Sequence, residues 1–274
     1  MTAAAPLDLP AFEAVAARVD GAVLRLTLNR PEVRNAMSLR MVTELRLALG
    51  AAETSGTIRV VVLRGAGAHF CAGGDVKDMA IARMRPAAEG EDPMAQVNAA
   101  FGELCAAFAR TPLALVAVLE GTVMGGGFGL ACVADVALAG ESVAFRLPET
   151  SLGVVPAQIA PYLVERIGYS QAKRLAVTGE KVGAEAALAI GLVHAVHAAG
   201  ALDAALARVV ADILQCAPGA VAQTKRLVAK ARFVTGADLV DEAARVFSRA
   251  LQGEEGVEGT AAFVQKRKPS WAPQ

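Results

Sequence analysis

Two periodicities alternate along this chain. Across residues 22–28 aliphatic side chains take most places while Arg25 and Thr27 interrupt them, the period of a half-buried strand. The run stops at Asn29-Arg30-Pro31, where proline fixes φ and removes an amide donor. Ser38 then stands where its hydroxyl can cap a helix reaching about Glu53, with apolar positions at Leu39, Val42, Leu45 and Leu49. Residues 59–63 read as a second, buried strand and Gly65-Ala66-Gly67 as a loop. Part of 75–83 reads as a further helix, with Asp75 its cap.

Residues 86–93 are polar, acidic and proline-bearing, and read as a mobile loop. A helix is expected over about 94–110, a buried strand over 113–119, a turn over 121–127 and a helix starting within 128–133. Short strands are expected at 135–139 and 143–145. From Ala157 onward the pattern is almost all helical, broken near Gly168, Gly179, Gly191, Gly200, Pro218 and Gly236, with one strand between His194 and His197. This alternation predicts an α/β fold with parallel, right-handed β-α units in the first two-thirds and a helical module in the last. The division expected is 1–200 for the α/β core and 201–274 for the helical region. No repeat or low-complexity linker separates them, which argues against an independent second domain.

The 274 residues suffice for one large domain with a substantial core. Lys plus Arg and Asp plus Glu both number 27, so no net field draws nucleic acid or an anionic membrane. The most apolar stretch, 113–140, is interrupted by Glu120, Asp135 and several glycines. It reads as buried strand, turn, helix and strand rather than the roughly 20 apolar residues of a spanning helix. The first residues carry Asp8, Glu13 and Asp20 and lack the basic start and apolar run of a secretory leader, so a cytoplasmic location is expected. Cys71, Cys105, Cys132 and Cys216 are far apart without CxxC spacing, which favours reduced thiols over disulfides or zinc.

The candidate chemistry lies in two glycine clusters and one glutamate. Phe70-Cys71-Ala72-Gly73-Gly74-Asp75 and Gly121-Thr122-Val123-Met124-Gly125-Gly126-Gly127-Phe128-Gly129 both follow predicted buried strands. Glycine lets backbone approach a ligand, and amides where a helix begins are free donors. Two such donors on one oxygen form an oxyanion hole, where losing one typically costs about a hundred- to a thousandfold in rate. Each cluster alone also reads as a tight strand–helix turn packed closely. Neither fits a Walker loop or G-x-G-x-x-G. Glu149 follows Pro148 in an apolar neighbourhood, where desolvation would raise its pKa and suit proton transfer. Alone, a glutamate after proline is more often a cap or an ion-pair partner.

Taken in order and spacing, these elements resemble the enoyl-CoA hydratase/isomerase (crotonase-like) family over nearly the whole chain. The likeness includes Leu28-Asn29-Arg30-Pro31, Arg34-Asn35-Ala36, the run 70–75, the Gly125-Gly126-Gly127 turn, Asp135, Pro148-Glu149 and Gly153. It continues through Ala184-Glu185, Gly191-Leu192-Val193 and the segment 258–269. The resemblance implies a spiral of ββα units with a C-terminal helical trimerisation region, assembled as a trimer or dimer of trimers. It implies an acyl-CoA substrate, with coenzyme A part of that substrate and no further cofactor. It places the thioester oxygen on the amides of Gly74 and Gly126, adenine against Ala72, CoA phosphates near Arg34, and a neighbour's CoA against Phe263 and Lys266.

One departure matters. Typical hydratases of this family carry two glutamates twenty positions apart; here the second is Glu149 and the first position is Gly129. That glycine is expected to enlarge the site. The run from Phe145 through Pro156-Ala157-Gln158-Ile159-Ala160-Pro161 resembles isohexenylglutaconyl-CoA and methylglutaconyl-CoA hydratases, which implies hydration of a branched, carboxylated enoyl-CoA. The rivals are a double-bond isomerase using one glutamate base and a non-catalytic acyl-CoA-binding paralogue. Arg146 is left to pair with a substrate carboxylate or with Glu149. His69, His194 and His197 read as packing or surface residues without metal spacing, and Gly140-Glu141-Ser142 lacks the closing glycine of a nucleophile elbow.

Overall fold

The computed structural model describes residues 7, 9–86 and 90–273. The chain enters through a hairpin in which β1 (Val15–Asp20) and β2 (Val23–Leu28) run antiparallel, Val15 opposite Leu28 and Asp20 opposite Val23. The sequence pattern predicts β2 but misses β1, an edge strand whose residues are mostly exposed and do not alternate. Strands β3 (Val60–Gly65), β4 (Ala114–Leu119), β6 (Val136–Gly140) and β9 (Ala195–His197) then add in parallel, in the order β1-β2-β3-β4-β6-β9. A smaller sheet joins β5 (Thr122–Met124), β7 (Ala144–Arg146) and β8 (Lys181–Gly183) in the order β5-β7-β8. The expected turn at 121–127 therefore contains a strand, and the expected helical tail contains β8 as well as β9. These three-residue strands are too short to print a period on the sequence.

Helix α1 (Leu39–Ser55) is capped by Ser38, whose Oγ accepts the Met41 amide at 3.2 Å. Helix α2 (Val76–Met84) is capped by Asp75, and α3 (Pro93–Arg110) by Asp92, which accepts the amides of Met94 and Ala95. Of the loop expected at 86–93, residues 87–89 lie outside the described residues, and Pro93 already occupies the first turn of α3. Helix α4 (Gly126–Val133) follows β5 directly. Helix α5 (Ala160–Thr178) bends at Gly168, whose φ of 74° and ψ of 160° leave the helical region, and ends on Gly179 in the left-handed conformation. Helices α6 (Ala184–Ala189), α7 (Leu202–Gln215), α8 (Pro218–Ala231), α9 (Gly236–Gln252) and α10 (Glu254–Val264) complete the chain.

The period of two sorts the sheet's side chains between two cores. Leu24, Leu26, Leu28, Val61, Leu63, Leu115 and Leu119 join α1, α3 and α4 on one face. Val23, Val60, Val62, Val116, Val118 and Leu138 meet Leu202, Leu206 and Val210 of α7 on the other. Each such side chain, fully buried, contributes about 1.5–3 kcal/mol. The boundary expected at residue 200 thus falls just before a helix that packs on the sheet; α8–α10 follow it. Asp135 ties α8 to the core, because its Oδ2 accepts both the Leu115 amide (2.7 Å) and Lys225 Nζ (2.6 Å). No single helix among the described residues is long and apolar enough to cross a membrane.

Candidate active site

The two glycine clusters are stitched together by backbone. The Cys71 amide donates to the Thr122 carbonyl (3.0 Å) and the Met124 amide to the Cys71 carbonyl (2.9 Å), so the two turns lie side by side. A second tie comes from the loop before α1, where the Met37 amide donates to the Gly73 carbonyl (2.7 Å) and the Asp75 amide to the Met37 carbonyl (2.9 Å). Both bonds flank Gly74 and leave its own amide without an acceptor among the described residues. The Gly126 amide is the first of α4 and has no intrahelical partner either. The positive end of the α4 dipole lies there.

Glu149 opens a single 3-10 turn, Glu149–Leu152, closed by Gly153 in the left-handed conformation. That turn is fastened to α5 by Thr150 Oγ1 donating to the Ala176 carbonyl (3.0 Å), and the strand before it by Arg146 Nε donating to the Gly179 carbonyl at the end of α5 (2.8 Å). Phe145, just before it, packs on Phe128 of α4 with ring centroids 5.4 Å apart, fixing the glutamate's element against the glycine helix. Glu149 Oε2 is buried without a hydrogen-bond partner among the described residues. Burial pushes the carboxyl up from its ordinary value of 4.5, opposed in part by a hydrogen bond from its own amide.

Gly125 is the point of closest approach. Its φ of 47° and ψ of −118° suit glycine, and a Cβ there would sit 3.1 Å from Glu149 Oε1, 3.3 Å from Gly73 Cα and 3.9 Å from the Gly74 nitrogen. Two unpaired amides and one desolvated carboxylate therefore share a small volume. They border a cavity of about 220 Å³ whose walls are largely apolar: Met37, Val42, Met79, Met94, Val97, Phe101 and Ile159 among them.

The other expected residues divide. The Ala72 amide donates to the Arg34 carbonyl (2.9 Å), so the two positions are joined, and Arg34 is exposed in the left-handed conformation with φ 50°. Buried Asn35 holds this loop by accepting the Arg30 amide and donating to the carbonyls of Ala66 and His69. Arg146 does not pair with Glu149 and does not line the cavity; it serves the end of α5. Phe263 and Lys266 stand exposed at the end of α10, away from the cavity of their own chain.

Gly129 corrects the sequence-based expectation of open space. A Cβ there would lie 3.2 Å from Phe101 Cζ and 3.3 Å from Ile159 Cγ1, so neighbouring side chains already fill the volume. Sequence reasoning could not see this, because both neighbours come from other elements. It also passed over Asn98 and Phe101 of α3, which line the cavity. The one available signal was Gly102 inside a helical pattern.

His69 Nδ1 accepts the Thr122 amide (3.1 Å) and His194 Nδ1 the Ala137 amide (2.9 Å), so both act in the frame. The four thiols are free. Burial pushes Cys71 up to about 11 and Cys132 up to about 12, which leaves neither as a nucleophile. No cluster that could hold a metal occurs among the described residues.

Amides converging beside a desolvated carboxylate can polarise a carbonyl while a proton moves at the neighbouring carbon, the equipment of an enolate-forming enzyme. The sequence pattern of the family "Enoyl-CoA hydratase/isomerase" matches residues 18–274, and the chain belongs to that family. It is an enzyme of the hydro-lyase kind, with an enoyl-CoA hydratase-type reaction on acyl-CoA thioesters. It is 32% identical over 251 residues to the 2,3-dehydroadipyl-CoA hydratase of Escherichia coli, covering 91% of this chain and 94% of that one. It is 31% identical to the carnitinyl-CoA dehydratase of Proteus mirabilis, covering 92% and 95%. Among solved structures it is similar to Pseudomonas aeruginosa AtuE, with 52% identity, a TM-score of 0.90, and coverage of 95% of this chain and 100% of that one. An enoyl-CoA hydratase/isomerase from Marinobacter aquaeolei has 48% identity, a TM-score of 0.92, and coverage of 95% and 99%.

Proposed function

We propose that this enzyme adds water across the conjugated double bond of a branched, carboxyl-bearing enoyl-CoA of the isohexenylglutaconyl or 3-methylglutaconyl type. The observation that carries the reading is Glu149 Oε2, buried and unpartnered beside the free amides of Gly74 and Gly126. The thioester oxygen accepts from those two amides. Glu149, as carboxylate, takes a proton from water as the water oxygen bonds to C3, and the π electrons move onto the thioester oxygen as an enolate. Collapse of the enolate draws the proton from Glu149 to C2 and restores the carboxylate. One carboxylate closes the balance, which suits a site where the second position is Gly129. The resemblance of 145–161 to glutaconyl-CoA hydratases and the apolar walls of the cavity support the branched acyl group. The test is product mass: a conjugated substrate should gain one water.

A second reading, a β,γ to α,β isomerase, is favoured by the same single carboxylate; it predicts double-bond migration without a mass change. CoA binding is proposed to involve Ala72 and Arg34 of one protomer, with Phe263 and Lys266 supplied by a neighbour in a trimer or dimer of trimers. The exposed apolar side chains Val240, Phe247 and Leu251 of α9 support such an assembly.

A further inference from the structure

The cavity beside Glu149 contains no lysine, arginine or histidine among the described residues that line it. Its other two acids already have partners. Asp75 pairs with Arg30 (2.6 Å) and caps α2, and Asp78 Oδ2 accepts the Leu39 amide (2.7 Å). That leaves Asn98 and Gln158 as the neutral polar side chains in an otherwise apolar wall. They are bonded to each other, Gln158 Nε2 donating to Asn98 Oδ1 at 2.9 Å.

The fold provides a seat for this pair. Gln158 comes from the segment just before α5 and reaches across α3 at Gly102, one turn beyond Asn98. A Cβ on Gly102 would lie 2.1 Å from Gln158 Oε1 and 2.6 Å from its Cδ. A glycine inside a helix costs about 0.5–1 kcal/mol relative to alanine. Here its missing side chain is the space the glutamine amide occupies. With one Gln158 hydrogen used on Asn98, the pair retains the Asn98 Nδ2 hydrogens and one more on Gln158 Nε2 as donors.

We propose that Asn98 and Gln158 determine specificity by binding a carboxylate on the acyl branch. This rests on the substrate class proposed above and deepens it. Amide donors suit the task for an electrostatic reason. A cation close to Glu149 would favour its carboxylate form and undo the effect of burial, whereas neutral donors bind an anion without adding charge. The apolar remainder of the wall takes the hydrocarbon part of the branch.

The experiment compares kcat/KM for 3-methylglutaconyl-CoA with that for 3-methylcrotonyl-CoA, which has the same skeleton without the carboxyl group. The readout is the ratio of the two, in wild type and in Gln158→Leu, Gln158→Glu and Gly102→Ala. Wild type is expected to favour the carboxylated thioester. Gln158→Leu should lower the ratio roughly ten- to a hundredfold, as expected for loss of a hydrogen bond to a charged group. Gln158→Glu, nearly isosteric but anionic, should lower it further. Gly102→Ala should lower it without altering either amide, by displacing Gln158 from its seat. A wild-type preference that survives all three substitutions would overturn the pair while leaving the substrate class standing. A wild type indifferent to the carboxyl group would overturn the substrate class, and the pair with it. Equal losses on both thioesters would assign Gln158 to packing alone.

Discussion

Gly125 and Glu149 face each other with no room for a side chain between them: a Cβ on Gly125 would lie 3.1 Å from Glu149 Oε1. The contact couples the glycine turn that exposes the Gly126 amide to the carboxylate proposed to handle the proton. Gly125→Ala is therefore expected to push the carboxylate away and to strain a backbone with φ of 47°. Strain of this kind costs about 1–3 kcal/mol. The expected result is a folded enzyme of lower melting temperature with kcat reduced at least about a hundredfold, the size of a lost acid–base contribution. Unchanged kcat would mean that the glycine is needed for the turn and not for the glutamate.

Glu149→Gln should abolish turnover, by roughly a hundred- to ten-thousandfold, while acyl-CoA still binds. The amide keeps the shape and cannot carry the proton. Turnover above about a tenth of wild type would remove Glu149 from the proton path.

The same substitution makes a stability prediction. Burial raises the folded-state value of Glu149 above 4.5. From about that value up to the raised one, the native chain holds a proton that the unfolded chain has lost, so stability falls as pH rises through this window. Above the window the full cost of the buried charge remains. Glu149→Gln is expected to melt higher than wild type near neutral pH, with the gap closing as both are acidified toward about pH 4. Activity should run the other way, with kcat/KM falling as pH drops through the raised value, because in the proposed mechanism the carboxylate form accepts the proton from water. Melting curves that stay parallel at all pH values would contradict the burial effect.

Lys266 and Phe263 are not among the described residues that line the cavity beside Glu149, and Phe263 is 86% exposed. Lys266→Glu should weaken CoA binding without lowering the melting temperature, since it would remove the cation proposed to meet a neighbour's CoA phosphates. Phe247→Asp, on the exposed face of α9, should shift the proposed trimer or dimer of trimers toward smaller species in light scattering. A monomer with full activity would leave both residues without the role proposed.

How much of this was legible beforehand follows from how far each contact reaches along the chain. The strands β2, β3 and β4 and the caps Ser38 and Asp75 are written locally, in alternation and in side chains that reach their own backbone two or three residues on. The pairing of the glycine clusters is not local: Cys71 meets Thr122 and Met124 across some fifty residues, and only the family resemblance foretold it. Arg146 was left open between two partners; it does not pair with Glu149, because its Nε donates to the Gly179 carbonyl at the end of α5. The edge strand β1 and the short β8 lack a period long enough to read. The open space expected at Gly129 was not legible either, since an absent side chain says nothing about what fills the space.

Gly129 yields the last prediction. Its surroundings are Phe101 Cζ at 3.2 Å and Ile159 Cγ1 at 3.3 Å from a virtual Cβ, and both residues also line the cavity. A glutamate at this position, where many hydratases of the family carry one, has to displace the Phe101 ring, which also lies against Gly126, where a virtual Cβ would be 3.3 Å from it. Overpacking of this sort costs about 1–3 kcal/mol. Gly129→Glu alone is therefore expected to lower the melting temperature and to slow crotonyl-CoA and a 3-methyl-branched glutaconyl-CoA alike. Adding Phe101→Ala opens the volume the carboxylate needs. The double variant should recover hydration of the small linear thioester relative to Gly129→Glu, while the branched one, having lost an apolar wall, should not recover. Such non-additivity is the signature of two side chains competing for one space. If Gly129→Glu alone spared crotonyl-CoA, the ring would be yielding without cost, and Phe101 would not be what keeps a second carboxylate out of this site.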